Sequence, residues 1–186
     1  MENFKITEEY VKGINSKKEL KEIFFNQNCD RNLKLYILKE KNLDQDVLEK
    51  IALKNKDSFV RCVAIQKLSN QMIIVKISLN DKDDLVRSYA TRKLTDQKII
   101  TKIALNDKSF WIRCIATEMV EDQKVISKIA LKDKNSMVRC MAVGKLKDTK
   151  ILTKIAMKDK KSNVRSEAIK KLEELDENLE CSWIYI

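Results

Sequence analysis

The stretch DKSFWIRCIA, Asp107 to Ala116, contains an arginine that recurs. Counterparts of Arg113 stand at Arg61, Arg87, Arg139 and Arg165, each 26 residues from the next. The chain has seven arginines, and these five keep one spacing without a slip. A fixed period of this length marks a repeat architecture, in which each unit is one supersecondary element that buries its apolar face against its neighbours.

The units around this arginine read 44–69, 70–95, 96–121, 122–147 and 148–173. Each opens on a helix cap and a polar residue: Asp44-Gln45, Asn70-Gln71, Asp96-Gln97, Asp122-Gln123 and Asp148-Thr149. Asp and Asn cap well because their side chains accept from the free amides of the first turn. A first helix, A, follows. Its apolar columns are Val47, Ile73, Ile99, Val125, Ile151 and Leu48, Ile74, Ile100, Ile126, Leu152. Isoleucine then stands at 51, 77, 103, 129 and 155, followed by a small residue: Ala52, Ser78, Ala104, Ala130 and Ala156. Spacing of i, i+1, i+4, i+5 is one helical face. A polar loop leads to helix B, with core columns Val60, Val86, Ile112, Val138, Val164; Ala64, Ala90, Ala116, Ala142, Ala168; and Leu68, Leu94, Val120, Leu146, Leu172.

Upstream, Thr7 predicts a short helix through Ile14. Ser16-Lys17-Lys18-Glu19 reads as a capping box for a helix to about Asn26. Asp30 predicts a third helix through about Glu40. Residues 16–43 thus form a degenerate first repeat, with Leu33-Lys34 in the arginine's place after a one-residue slip. Downstream, Asp176 reads as the cap of a final half-repeat. CSWIYI, with Trp183 and Tyr185, is expected to cover the end of the stack, as 174–186 form a C-terminal cap.

Asp-x5-Arg-x2-Ala-x3-Leu, as in Asp81, Arg87, Ala90, Leu94, resembles the second half of a HEAT repeat. It recurs at Asp133, Arg139, Ala142, Leu146 and at Asp159, Arg165, Ala168, Leu172; the unit at Asp107 and Arg113 ends in Val120, and the unit at Arg61 has Asn55 for aspartate. The units are shorter than usual for such repeats, and helix A lacks their proline. The resemblance covers 44–173. It implies an all-α, right-handed α-solenoid of HEAT-like helix pairs, with helices A on the convex side and B on the concave side. Such arrays are mostly protein-binding scaffolds; a minority, including a family of DNA glycosylases, grip nucleic acid. The short period is also similar to that of leucine-rich-repeat-variant proteins, but their iron–sulfur cysteine cluster is missing, so no cofactor is expected.

Composition narrows the functional classes. The 186 residues include no proline and two glycines, too little turn punctuation for a β-rich domain. There is no histidine, which excludes His-based acid–base chemistry and His metal sites. Five cysteines without a CxxC fit reduced thiols and a cytoplasmic location. Cys62, Cys114 and Cys140 share a column, but repeats about 10 Å apart do not bring four ligands to one metal. The start lacks a secretory signal, and no apolar run spans a membrane. No nucleophile–base constellation assembles from motifs; Trp111 with Glu118 is the one pair to nominate for a glycosylase-like step, and a non-enzymatic role is expected.

Three sets of columns are candidates for function. The Asp–Arg ladder (Asp81, Arg87; Asp107, Arg113; Asp133, Arg139; Asp159, Arg165) reads as structural, each arginine fork reaching the loop aspartate of its own or the neighbouring repeat. Lysines recur at 50, 76, 102, 128, 154 on helix A, at 56, 82, 108, 134, 160 in the A–B loop, and at 98, 124, 150. They read either as a solvated face or as a ridge for nucleic-acid phosphates. The net charge of +10 favours acidic partners in both cases. On helix B, positions 59, 62 and 66 point away from the expected core. Phe59, Leu85, Trp111 and Met137 occupy the first of these columns, and Asn163 ends it. Val63, Tyr89, Ile115 and Met141 occupy the next, ending in Glu167. An apolar ribbon where such repeats carry polar residues implies a protein-binding face; the same side chains could instead fill gaps between neighbouring B helices. The expectation is a monomeric scaffold, adaptor or inhibitor that clasps a partner protein, acidic or a nucleic-acid-handling enzyme.

Overall fold

The computed structural model describes residues 6–183, and of 177–183 the backbone alone. Among the described residues all regular structure is helical: thirteen α-helices and no strand. The first three are α1 (Glu8–Lys12), α2 (Lys17–Phe25) and α3 (Arg31–Glu40). Five A/B pairs follow: α4 (Gln45–Lys54) with α5 (Ser58–Lys67), α6 (Gln71–Asn80) with α7 (Asp84–Thr91), α8 (Gln97–Asn106) with α9 (Phe110–Met119), α10 (Gln123–Lys132) with α11 (Ser136–Lys145), and α12 (Thr149–Lys158) with α13 (Ser162–Trp183). None of the helices is long and apolar enough to cross a membrane.

Local chemistry sets these boundaries. Thr7, Ser16 and Asp30 cap α1, α2 and α3. The capping box at Ser16 is half made, since Glu19 accepts instead from the Tyr10 hydroxyl. Asn70, Asp96, Asp122 and Asp148 cap their A helices through the side chain. Asp44 stands at the same position, but its carboxylate receives the Lys17 ammonium at 2.6 Å. The A–B loop is tight because the residue ending helix A makes an Asx turn. Asn55, Asp81, Asp107, Asp133 and Asp159 each accept the amide two residues on, at 2.8–2.9 Å.

The chain divides into two compact units, Met1–Lys93 and Leu94–Ile186. In the first, α4 packs on α5 and α6 on α7, with α3, α5 and α7 in succession. In the second, α8 packs on α9, α10 on α11 and α12 on α13, with α9, α11 and α13 in succession. The A helices meet less extensively, α4 with α6 and α8 with α10, so the A side of each stack is splayed.

The columns of isoleucine and small residues form the core. Ile51, Ile77, Ile103, Ile129 and Ile155 are buried, as are Ala52, Ser78, Ala104 and Ala130. The first A column is less covered than its spacing implies: Val47 is buried, while Ile73, Ile99, Val125 and Ile151 are half-buried on the splayed side. On helix B, Val60, Val86, Ile112, Val138 and Val164 are at most 1% exposed. The chain end differs from its expectation. No helix starts at Asp176, because α13 runs unbroken from Ser162 to Trp183. Nothing between Leu172 and Asp176 stops it, the chain there being KLEELDEN without glycine or proline. The expected covering by Trp183 and Tyr185 lies outside the described residues.

Candidate functional site

The arginine column is buried over its first four members, and Arg165 is half-buried. Arg61, Arg87, Arg113 and Arg139 are 2–3% exposed. The Arg113 fork grips Asp133 of the next repeat at 2.7 and 2.9 Å and turns Nη1 to the Asp107 carbonyl of its own loop at 2.9 Å. Arg61 holds Asp81, and Arg139 holds Asp159, in the same way. Arg87 and Arg165 donate to the carbonyls of Asp81 and Asp159 in their own loops. Asp81, Asp133 and Asp159 thus each give the carbonyl to their own arginine and the carboxylate to the preceding one, while Arg87 also holds Asp84 of its own helix at 2.6 Å. Asn55 follows from this. The position one period before Arg61 is Leu35, so position 55 needs the Asx turn but no charge. Arg31 pairs with Asp57, the cap of α5, at 2.9 Å, and the Lys34 ammonium lies 5.9 Å over the Phe24 ring.

Electrostatics agree with a structural role. Burial pushes the Asp133 carboxyl up, but the Arg113 bond, the Asn135 amide and the Arg113 charge outweigh it, leaving Asp133 below its ordinary value. The Arg139 bond holds Asp159 down, and Asp159 raises Arg139 in return.

Two further columns are structural, and sequence reading missed both. The glutamine after each A-helix cap reaches the end of its own B helix: Gln45, Gln71, Gln97 and Gln123 donate to the carbonyls of Lys67, Lys93, Met119 and Lys145 at 3.1 Å. Lysines at the end of helix B reach back to the preceding repeat. Lys67 donates to Lys39 and Lys41, Lys93 to Gln66 and Leu68, and Lys145 to Glu118 and Val120, all carbonyls at a helix C-terminus. Lys41 does the same for α1 through Lys12 and Ile14. Burial pushes the Lys93 and Lys145 ammonium groups below the usual lysine value. The signal was available: lysine recurs at 41, 67, 93 and 145, with Met119 alone out of pattern.

The outward columns of helix B divide. Phe59, Trp111 and Met137 are 51–52% exposed, and Leu85 and Met141 are 38% exposed. Val63 and Tyr89 are half-buried. Ile115 is buried, which removes it from the expected face. Cys62 and Cys114, expected to point outward, are also buried. The reason is common to the three. Successive B helices lie flank to flank, α5 on α7 and α9 on α11, so the sides of the outward arc are covered and only its crest stays open. Burial pushes the Cys62 thiol up to about 11 and raises Cys114 and Cys140 as well, which leaves them poor nucleophiles and metal ligands.

Each unit therefore shows its own apolar crest. In the first it is Phe59 and Leu85 on the adjacent helices α5 and α7, with the Arg31 guanidinium 5.1 Å over the Phe59 ring. In the second it is Trp111, Met137 and Met141 on α9 and α11. Beside it a groove of about 560 Å³ is lined by Met137, Cys140, Met141, Gly144, Asn163 and Glu167. Gly144 keeps that groove open where the same column carries Gln66, Arg92 and Glu118. Glu118 is exposed on α9, and its carbonyl serves Lys145.

The lysine columns lie apart from this crest. All ten, Lys50, Lys76, Lys102, Lys128, Lys154, Lys56, Lys82, Lys108, Lys134 and Lys160, are exposed. Lys76 and Lys82 line a groove in the first unit with Lys54 and Lys56. Lys134, Lys154 and Lys160 line one in the second with Lys132 and Lys158. No family model, curated protein or solved structure matches this chain.

Proposed function

We propose that this protein is a non-enzymatic scaffold, of the HEAT-like repeat type, that binds a partner protein through the crests of its B helices. The observation that supports the reading is the side-chain content of one column. Phe59, Leu85, Trp111 and Met137, at one position of the repeat, are left open to solvent. Large apolar side chains exposed together, on helices already packed for stability, mark interaction surfaces. Aromatic anchors carry most of the energy at such surfaces, and methionines adapt to irregular partners. The groove beside Met137 and Met141 gives an incoming side chain a place to insert.

The test is capture from a lysate treated with nuclease, comparing wild type with Trp111→Ala. A partner retained by wild type and weakened by about 2 kcal/mol or more in the variant is the expected outcome. Trp111 is half exposed, so the variant should melt with wild type, and lost capture then reports the surface rather than the fold. Capture unchanged by Trp111→Ala, or abolished by nuclease, overturns the reading.

A further inference from the structure

The unit Leu94–Ile186 segregates its charge by helix. The A helices read QKIITKIALN (α8), QKVISKIALK (α10) and TKILTKIAMK (α12), without one acidic residue. Their lysines fall at i, i+4 and i+8: Lys98 and Lys102, then Lys124, Lys128 and Lys132, then Lys150, Lys154 and Lys158. On a helix these steps form one inclined row, rising about 6 Å per charge. The loops add Lys108, Lys134 and Lys160. All eleven are exposed, and none forms an ion pair among the described residues. A face that serves solubility alone interleaves the two signs; here the exposed aspartates stand only at the caps, Asp96, Asp122 and Asp148, and within the helices every charge is a lysine.

The ladder explains why the charge stays unspent. Asp133 and Asp159 lie in the same grooves, but both oxygens of each are held by Arg113 and Arg139. The buried rungs cancel among themselves and leave the lysines as surplus. They also position it. Nη1 of Arg139 draws the Asp133 carbonyl, and that of Arg113 the Asp107 carbonyl, into the stack, fixing the loops that carry Lys134 and Lys108. The result is a groove of about 410 Å³ between the ends of α10 and α12, with Lys132, Lys134, Lys154, Lys158 and Lys160 around its rim. A second, of about 380 Å³, follows one repeat earlier, with Lys108, Lys132 and Lys134.

We propose that these lysine rows bind the phosphate backbone of double-stranded nucleic acid, independently of its sequence. Rows of point charges on parallel, rigid helices suit a rigid polyanion, whose phosphates recur along both strands. Single strands are gripped through aromatic stacking platforms, and α8, α10 and α12 contain no aromatic residue. The lysine rows lie on α8, α10 and α12 and the apolar crest on α9 and α11, so the proposal rests on different residues from protein capture there.

The probe is a fluorescent DNA duplex of about two helical turns, read by anisotropy against the full chain. With six phosphate contacts, affinity should fall about 10³-fold between 50 and 200 mM salt. A variant carrying Lys→Gln at 128, 132, 134, 154, 158 and 160 should bind about 100-fold more weakly at low salt, with a shallower salt slope. A control of equal net charge, Lys→Gln at 12, 17, 18, 21, 34 and 39, should stay within about threefold of wild type. Circular dichroism melts establish that all three chains are folded. Equal losses in the two variants, a flat salt slope, tighter binding of single-stranded DNA, or binding only to vesicles of anionic lipid each overturns the proposal.

Discussion

Arg113 shows how much one side chain can organise. It is buried, its fork is satisfied by Asp133 in the next repeat, and its remaining nitrogen holds its own loop. Replacing it with alanine strands a buried carboxylate and frees a loop carbonyl. The expected loss is roughly 2–4 kcal/mol, read as a shift in the urea midpoint. Lys102→Ala on the exposed row should change stability by less than about 0.5 kcal/mol; equal shifts for the two would show the rung is not structural. The same rungs set an acid limit. Asp133 and Asp159 sit below their ordinary value in the folded chain. Their contribution is therefore complete above the unfolded value of about 3.9 and is lost as pH falls through the folded one. Asp159→Asn should cost stability at neutral pH, and its deficit against wild type should shrink as denaturation is followed below about pH 4. A deficit independent of pH would place the cost elsewhere.

The helix is the scale at which the glutamine and lysine staples act. Each ties the exposed carbonyls of a B-helix C-terminus to another element, where cations are favoured by the helix dipole. Lys145→Met copies what the chain already has at Met119. It should cost about 1–2 kcal/mol by losing bonds to the ends of α9, whereas Lys128→Met should cost almost nothing. Gly144 offers the opposite sign. It lies within α11 without a positive φ, and a Cβ there would meet only Glu167 Oε1 at 3.5 Å, an ordinary contact. Gly144→Ala should stabilise by about 0.5 kcal/mol, measured by chemical denaturation, since it removes backbone freedom from the unfolded chain. A loss instead would mean the groove beside Met141 tolerates no added carbon.

At the scale of the molecule, the repeat separates two kinds of surface. Helices B present apolar crests and mixed charge, and helices A of the second unit carry lysine as their one charged residue type, beside the exposed Leu131 and Met157. The two should respond independently. Trp111→Ala should leave duplex affinity within about threefold of wild type, and the six-lysine variant should keep any nuclease-resistant partner. Cross-effects in both directions would point to one shared surface.

The all-helical fold, the starts of the A helices and most of the core columns were legible in the sequence because their causes are local. An aspartate caps the helix that follows it, and a 3.6-residue face repeats within ten residues. The arginine column was legible as structural for the same reason: a buried charge kept at one spacing needs a partner at that spacing. Its partner was not, since Arg113 could reach Asp107 or Asp133 and only the packing of successive repeats gave it the carboxylate of the latter. Ile115, Cys62 and Cys114 show the same limit. A helical wheel places them outward, but whether an outward side chain meets water or the flank of the next helix depends on residues 26 positions away. What the sequence determined by itself is therefore the pairing of caps, faces and period, which are interactions within a repeat. What only the tertiary structure decided is which columns are covered, and which lysines clamp a neighbour or stand free, because those depend on how closely one helix lies beside another.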